Sequence, residues 1–214
     1  GLDNRYDLYL SNLPKEYYGL TNIDSNISAL TATSYIQLDN DYDNVSKYAD
    51  RPLDAARVTV AHEYFHAVQF GMDYSEYDGS ASAIHRQYWM EMSAVWMEEE
   101  VYDEINDYYA YLPYFLNNPT ISLQTWGGDY RQHPYGAGLF PIFLSQRYGD
   151  SIIRDIWERC AVAGGPQFLT ACDAAIRAVD PPDGNLASAM NEFSVWNYFT
   201  GQYGSVAPTV MDPL

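Results

Sequence analysis

His62-Glu63-Tyr64-Phe65-His66 holds two of the four histidines in a chain of 214 residues. Around it Val58, Ala61, His62, Phe65, His66 and Gln69 recur at the spacing of one helical face. Asp54 is the expected N-cap of this helix and Gly71 its expected end. Residues four apart on a helix lie about 5–6 Å apart at Cβ, so both imidazoles can offer one nitrogen to the same ion. Glu63 projects beside the pair and can reach a water on that ion instead of the ion itself. His-Glu-x-x-His in a helix therefore points to a zinc hydrolase site, with His62 and His66 as metal ligands and Glu63 as general base. Zinc lowers the pKa of its water to about 7, and the carboxylate takes the proton as the water attacks a carbonyl. The blander reading makes both histidines ordinary helix residues with solvated or hydrogen-bonded rings.

A catalytic zinc needs a third protein ligand and an open position. The metzincin class would require Gly at position 69 and His or Asp at 72, where this chain has Gln69 and Met72. Tyr88 to Tyr111 reads as a second long helix, ended by Pro113, and from Tyr88 to Met97 its only charge is Glu91. A single carboxylate among so many large apolar side chains is costly to bury unless it is paired or bound to a cation. Glu91 is thus the expected third ligand, with Glu98 and Glu99 as rivals. Glu99 and Asp103 also have the Glu-x-x-x-Asp spacing in which the aspartate orients a metal-bound histidine. For the oxyanion of a tetrahedral intermediate, Tyr135 at the Gly-flanked start of a third helix, Tyr135 to Tyr148, is the candidate donor. His133 is the alternative, and the 21 tyrosines of the chain make a packing role for Tyr135 a serious competitor.

With 29 acidic and 11 basic residues, the formal net charge is -18. That argues against nucleic acid or an anionic membrane as partner and agrees with cation binding or a salty extracellular setting. No apolar run approaches the length of a membrane span, and Gly1 to Leu10 lacks both the basic region and the apolar core of a signal peptide. A mature, secreted segment is expected. Cys160 and Cys172 fall in two helical patterns, Ser151 to Ala163 and Gln167 to Val179, joined by Gly164-Gly165-Pro166. A disulfide across that hairpin is expected. Asp39-Asn40-Asp41-Tyr42-Asp43, with Asp50 at the twelfth position, alternates like the start of a calcium loop, although Asn44 stands where such a loop has Gly. A solvated turn is the preferred reading; calcium on Asp39, Asp41 and Asp43 is the alternative.

Tyr6 to Leu10 and Ser34 to Leu38 read as strands and Asn185 to Tyr198 as the last helix. The fold class is α+β. His62-Glu63-Tyr64-Phe65-His66 followed by Trp89-Met90-Glu91-Met92-Ser93-Ala94-Val95-Trp96-Met97-Glu98 resembles the gluzincin metallopeptidases, whose downstream helix carries a ligand Glu in a Trp-x-x-Glu-Gly-x-Ala box. Here the box is one residue shorter before the Glu, and Met92 replaces the Gly. Val95, four after Glu91, departs from the thermolysin pattern and leaves the group that orients the histidines open. Tyr135-Gly136-Ala137-Gly138-Leu139-Phe140, Arg147-Tyr148-Gly149 and Phe193 to Gly201 are similar to segments of bacterial secreted peptidases of this clan.

The resemblance implies a zincin-like domain, with a small N-terminal sheet over the metal helix (residues 1–73), a mainly helical lobe (74–214) and a substrate cleft between. It implies an extended peptide laid along the strand Ser34 to Leu38 and zinc-dependent hydrolysis of protein or peptide substrates by a monomer. The absent aminopeptidase box, Gly-x-Met-Glu-Asn, favours an endopeptidase. The competing class is a non-catalytic extracellular or surface binding module with structural zinc or none, in which tyrosines and tryptophans form a recognition surface. Glu63 discriminates, since a structural site has no use for a base beside its ligands.

Overall fold

The computed structural model describes residues 5–15, 17–43, 45–77, 87–162 and 167–199. The fold is α+β, with one small sheet and a majority of helix. Strands β1 (Leu8–Ser11), β2 (Gly19–Asn26) and β3 (Ala32–Asp39) run in the order β1-β3-β2. β3 is parallel to β1 and antiparallel to β2. β1 and β3 are the two expected strands. β2 is additional: it returns the chain through a turn at residues 28–31, where the Ser28 hydroxyl accepts the amides of Leu30 and Thr31. The middle position of β3 corrects the expectation that a peptide lies along Ser34 to Leu38: residues 36–38 meet β1 on one side and β2 on the other, and β1 and β2 are the edge strands.

Helix α1 (Pro52–Asp73) begins with proline, whose fixed φ and missing N–H suit the first helical position. Asp54 is not the N-cap. It lies in the first turn, 3.6 Å from Arg51 and 3.3 Å from Arg57, where a carboxylate complements the helix dipole. The helix passes Gly71 and ends two residues later. Helix α2 (Gln87–Tyr102) packs on α1, with Phe65 against Trp96 at 5.9 Å between ring centres. It ends at Tyr102, short of the expected Tyr111, and the left-handed Asn106 (φ 53) leads into the 3-10 turn Asp107–Ala110. Pro113 starts α3 (Leu112–Leu116) instead of closing a helix. The expected third helix is two: α4 (His133–Gly136) and α5 (Leu139–Tyr148).

The chain forms two compact units, Gly1–Gly138 and Leu139–Leu214. The boundary expected after residue 73 falls inside the first unit because α1 is packed on β2, β3 and α2 together. In the second unit α6 (Ser151–Cys160) packs on α5 and on α7 (Phe168–Val179), and α8 (Leu186–Tyr198) packs on α5 and α7. Phe140, Phe143, Phe193 and Trp196 form its aromatic core. Asn185 caps α8 through a reciprocal pair of bonds with Ser188. Cys160 and Cys172 are not bonded to one another, which corrects the expected disulfide. Both thiols are buried where α6 meets α7, serving as small apolar groups, and burial pushes the Cys172 thiol up. The turn 164–166 lies outside the described residues, as does the segment after 199.

The calcium alternative meets a different use of the same residues. Asp39 is buried and accepts the amides of Leu13 (2.9 Å) and Tyr42 (2.8 Å), while Asp41 accepts the amide of Asp43 (3.0 Å). Among the described residues Asp39, Asp41 and Asp43 do not gather as a metal-holding group. No described helix is long and apolar enough to cross a membrane.

Candidate metal centre

The first unit brings His62 and His66 on α1 against Glu91 on α2, in a group that could hold a metal ion. Glu91 Oε2 lies 3.2 Å from His62 Nε2 and 3.6 Å from His66 Nε2. The opposite ring nitrogens are tied back into the protein. His62 Nδ1 donates to Glu98 Oε1 at 2.6 Å, and His66 Nδ1 donates to Gln69 Oε1 at 2.7 Å. Gln69 is itself oriented, because its Nε2 donates to the Met90 carbonyl and to Ser93 Oγ, each at 3.1 Å. Ser93 in turn donates to the Trp89 carbonyl at 2.7 Å. These acceptors put the Nδ1 proton on both rings and turn both Nε2 atoms toward Glu91.

A nitrogen lone pair facing a carboxylate at 3.2 Å is repulsive unless a cation, proton or metal, lies between them. The charges agree. Burial disfavours the imidazolium of His62, but its bonds to Glu91 and Glu98 outweigh that and raise its pKa well above the usual range. Burial would likewise raise Glu91, yet the two histidines hold its carboxyl far below the ordinary value. Glu98 rises to about 7, since burial and the nearby Asp107 exceed the pull of His62.

Glu98 stands outside the His62, His66 and Glu91 group and backs His62 from the far side of its ring. Its position two helical turns after Glu91 places both on one face of α2, a signal present in the spacing. Glu99 is likewise outside the group, and burial together with Glu98 and Asp103 pushes it up to about 8. Gln69 escaped notice as a functional residue although it stands one turn after His66, the local relation that lets it hold that ring.

Glu63 is buried beside the histidines, with Thr21 Oγ1 of β2 at 2.8 Å from its Oε2 and 2.7 Å from its carbonyl oxygen. The strand comes this close because residue 19 is glycine. A Cβ there would lie 2.6 Å from Thr59 Cγ2 and 2.8 Å from Glu63 Cγ. Tyr135 stacks on His62, with ring centres 5.9 Å apart and planes within 11°. Burial and the charge and hydrogen bond of Glu91 hold its hydroxyl protonated far above the usual tyrosine range. Gly136 lets its turn approach the start of α3, where a Cβ would lie 2.4 Å from the Tyr111 carbonyl, and Gly138 lets it approach α2, where a Cβ would lie 2.6 Å from Val95 Cγ1.

His133 does not join the site. Its ring is 1% exposed, packs against Phe115 and has neither nitrogen hydrogen-bonded, and burial lowers its pKa. The two side chains part, His133 meeting Phe115 and Tyr135 meeting His62.

Two adjoining cavities meet at His62, Glu63 and Tyr135. One, of about 510 Å³, extends toward Lys47, Asp107 and Tyr111. The other, of about 320 Å³, extends toward Phe70, Met90 and Trp126, and includes His66 and Glu91. The edge strand β2 borders both through Gly19. Compared with models of protein families, with curated proteins and with solved structures, the chain finds no match in any of the three.

Proposed function

We propose that this chain is a zinc-dependent metallopeptidase with a zincin-like catalytic unit, in which His62, His66 and Glu91 hold the metal and Glu63 is the general base. The carrying observation is the convergence of His62 Nε2, His66 Nε2 and Glu91 Oε2. Ligand atoms about 2.0–2.1 Å from one tetrahedral ion lie roughly 3.3–3.4 Å apart, and the 3.2 and 3.6 Å separations bracket that span. Two imidazoles and one carboxylate, each imidazole backed by an acceptor, are a donor set suited to zinc.

Zinc in this position would polarise a carbonyl as a Lewis acid and lower the pKa of a water to about 7. Glu63, aligned by Thr21, takes the proton of the attacking water and returns it to the leaving amine. Tyr135 donates a hydrogen bond from its hydroxyl to the developing oxyanion once the substrate displaces its bond to Glu91. The free edge of β2 pairs with an extended peptide through main-chain hydrogen bonds. Cavities on either side of Glu63 accommodate residues of an internal peptide bond, which favours endopeptidase action.

Protein stripped by a chelator should regain cleavage of an unfolded protein substrate with one equivalent of zinc. Zinc-loaded protein that leaves such substrates and a mixed peptide library intact would move the assignment to a binding module. Tyr135→Phe is expected to lower kcat roughly a hundredfold to a thousandfold, the scale of one lost oxyanion donor, while zinc content stays unchanged. An unaltered kcat would remove Tyr135 from the mechanism.

A further inference from the structure

The chain contains two lysines, Lys15 and Lys47. Both line the cavity of about 510 Å³ beside His62 and Glu63, together with Arg131. In a chain with 29 acidic and 11 basic residues, gathering both lysines and an arginine in the wall of one cavity runs against composition. The three carboxylates of the same wall are each bonded within the protein. Glu63 meets Thr21, Glu98 meets His62, and Asp107 meets Lys47 and the Tyr48 hydroxyl.

Lys47 is fixed in place. Its ammonium lies 2.8 Å from Asp107 Oδ1 and 5.7, 5.2 and 4.8 Å from the ring centres of Tyr18, Tyr48 and Tyr111. Its side chain remains 31% exposed, so the pair does not enclose it. Lys15 and Arg131 are exposed at the rim. A divalent ion on two neutral histidines and Glu91 would add one net positive charge next to this wall. The Tyr18 and Tyr111 hydroxyls bond to one another and leave one donor, that of Tyr18, for an anion in this lining.

We infer that this cavity is a subsite for a carboxylate of the substrate, so that the peptides cleaved carry an acidic residue or a C-terminal carboxylate beside the scissile bond. This rests on the peptidase reading. A carboxylate entering here gains charge-assisted hydrogen bonds that a neutral amide cannot make, whereas over most of this acidic surface it would be repelled.

The test separates binding from cleavage by using zinc-loaded Glu63→Gln protein and fluorescence anisotropy with three labelled peptides of one sequence. One has an internal Glu and an amidated end, one has Gln and an amidated end, and one has Gln and a free C-terminal acid. One of the two carboxylate-bearing peptides should bind about tenfold more tightly than the amidated Gln peptide, and which one does so identifies the source of the carboxylate. Lys15→Glu and Arg131→Glu should each shrink the ratio severalfold, with Lys15→Gln as the milder check, and zinc content should be retained. Equal or undetectable binding of all three peptides, or a preference that survives both charge reversals, overturns the subsite. Cleavage by the unsubstituted protein is read separately. A carboxylate preference without cleavage of any peptide would leave the subsite standing and defeat the peptidase reading.

Discussion

Glu63→Gln protein is expected to keep its zinc and its melting temperature and to lose peptide hydrolysis by roughly 10²–10⁴-fold, the contribution of a positioned general base. The expectation follows from what Glu63 touches. Among the described residues its Oε2 meets the Thr21 hydroxyl, and its carboxylate is not part of the His62, His66 and Glu91 group. An amide of the same size keeps the packing against Gly19 and Thr59 and can still accept from Thr21. What it cannot do is take a proton. Zinc content by atomic absorption, a melting curve and a quenched-peptide assay on the same preparation separate these roles. Retained hydrolysis would eliminate the mechanism, and loss of zinc would mean that Glu63 is a ligand.

Glu91→Ala is expected to abolish stoichiometric zinc and hydrolysis together. Two histidines one turn apart bind the ion weakly without a third donor, and Glu91 is the carboxylate that meets both Nε2 atoms. Glu98→Gln provides the graded contrast. It leaves all three ligands and weakens only the support of His62, an effect on the order of 10–100-fold in metal affinity. Zinc should also bind more tightly as pH rises, because the ion displaces the proton that Glu91 and Glu98 stabilise on His62. Titration with a competing chelator measures all three quantities. Equal zinc affinity in Glu91→Ala and the unsubstituted protein would overturn the ligand assignment.

The failures of sequence reading have separate physical causes. β2 was hidden because Gly19-Leu20-Thr21-Asn22 carries little hydrophobic signal; its place depends on a backbone approach that only glycine permits. Pro113 and Asn106 act through dihedral angles, one at the start of α3 and the other at the start of the 3-10 turn Asp107–Ala110. Cys160 and Cys172 fill the contact of α6 and α7, a packing role that residue type does not distinguish from a disulfide. His133 and Tyr135 stand two apart, yet the turn of α4 sends one toward Phe115 and the other onto His62.

By itself the sequence determined that His62, Glu63 and His66 share one helix and one neighbourhood, since a relation of one turn needs no tertiary contact. Gln69 belongs to the same local geometry. Which carboxylates meet the histidines was left to tertiary structure: His62 meets Glu91 across 29 residues and Glu98 across 36. Those meetings depend on how α2 rotates against α1, which is set by the packing of Phe65, Trp96 and the Gln69 amide. The edge strand at the cleft and the lysines in its wall were decided the same way, because sheet order and cavity lining are properties of contacts between segments and not of any one of them.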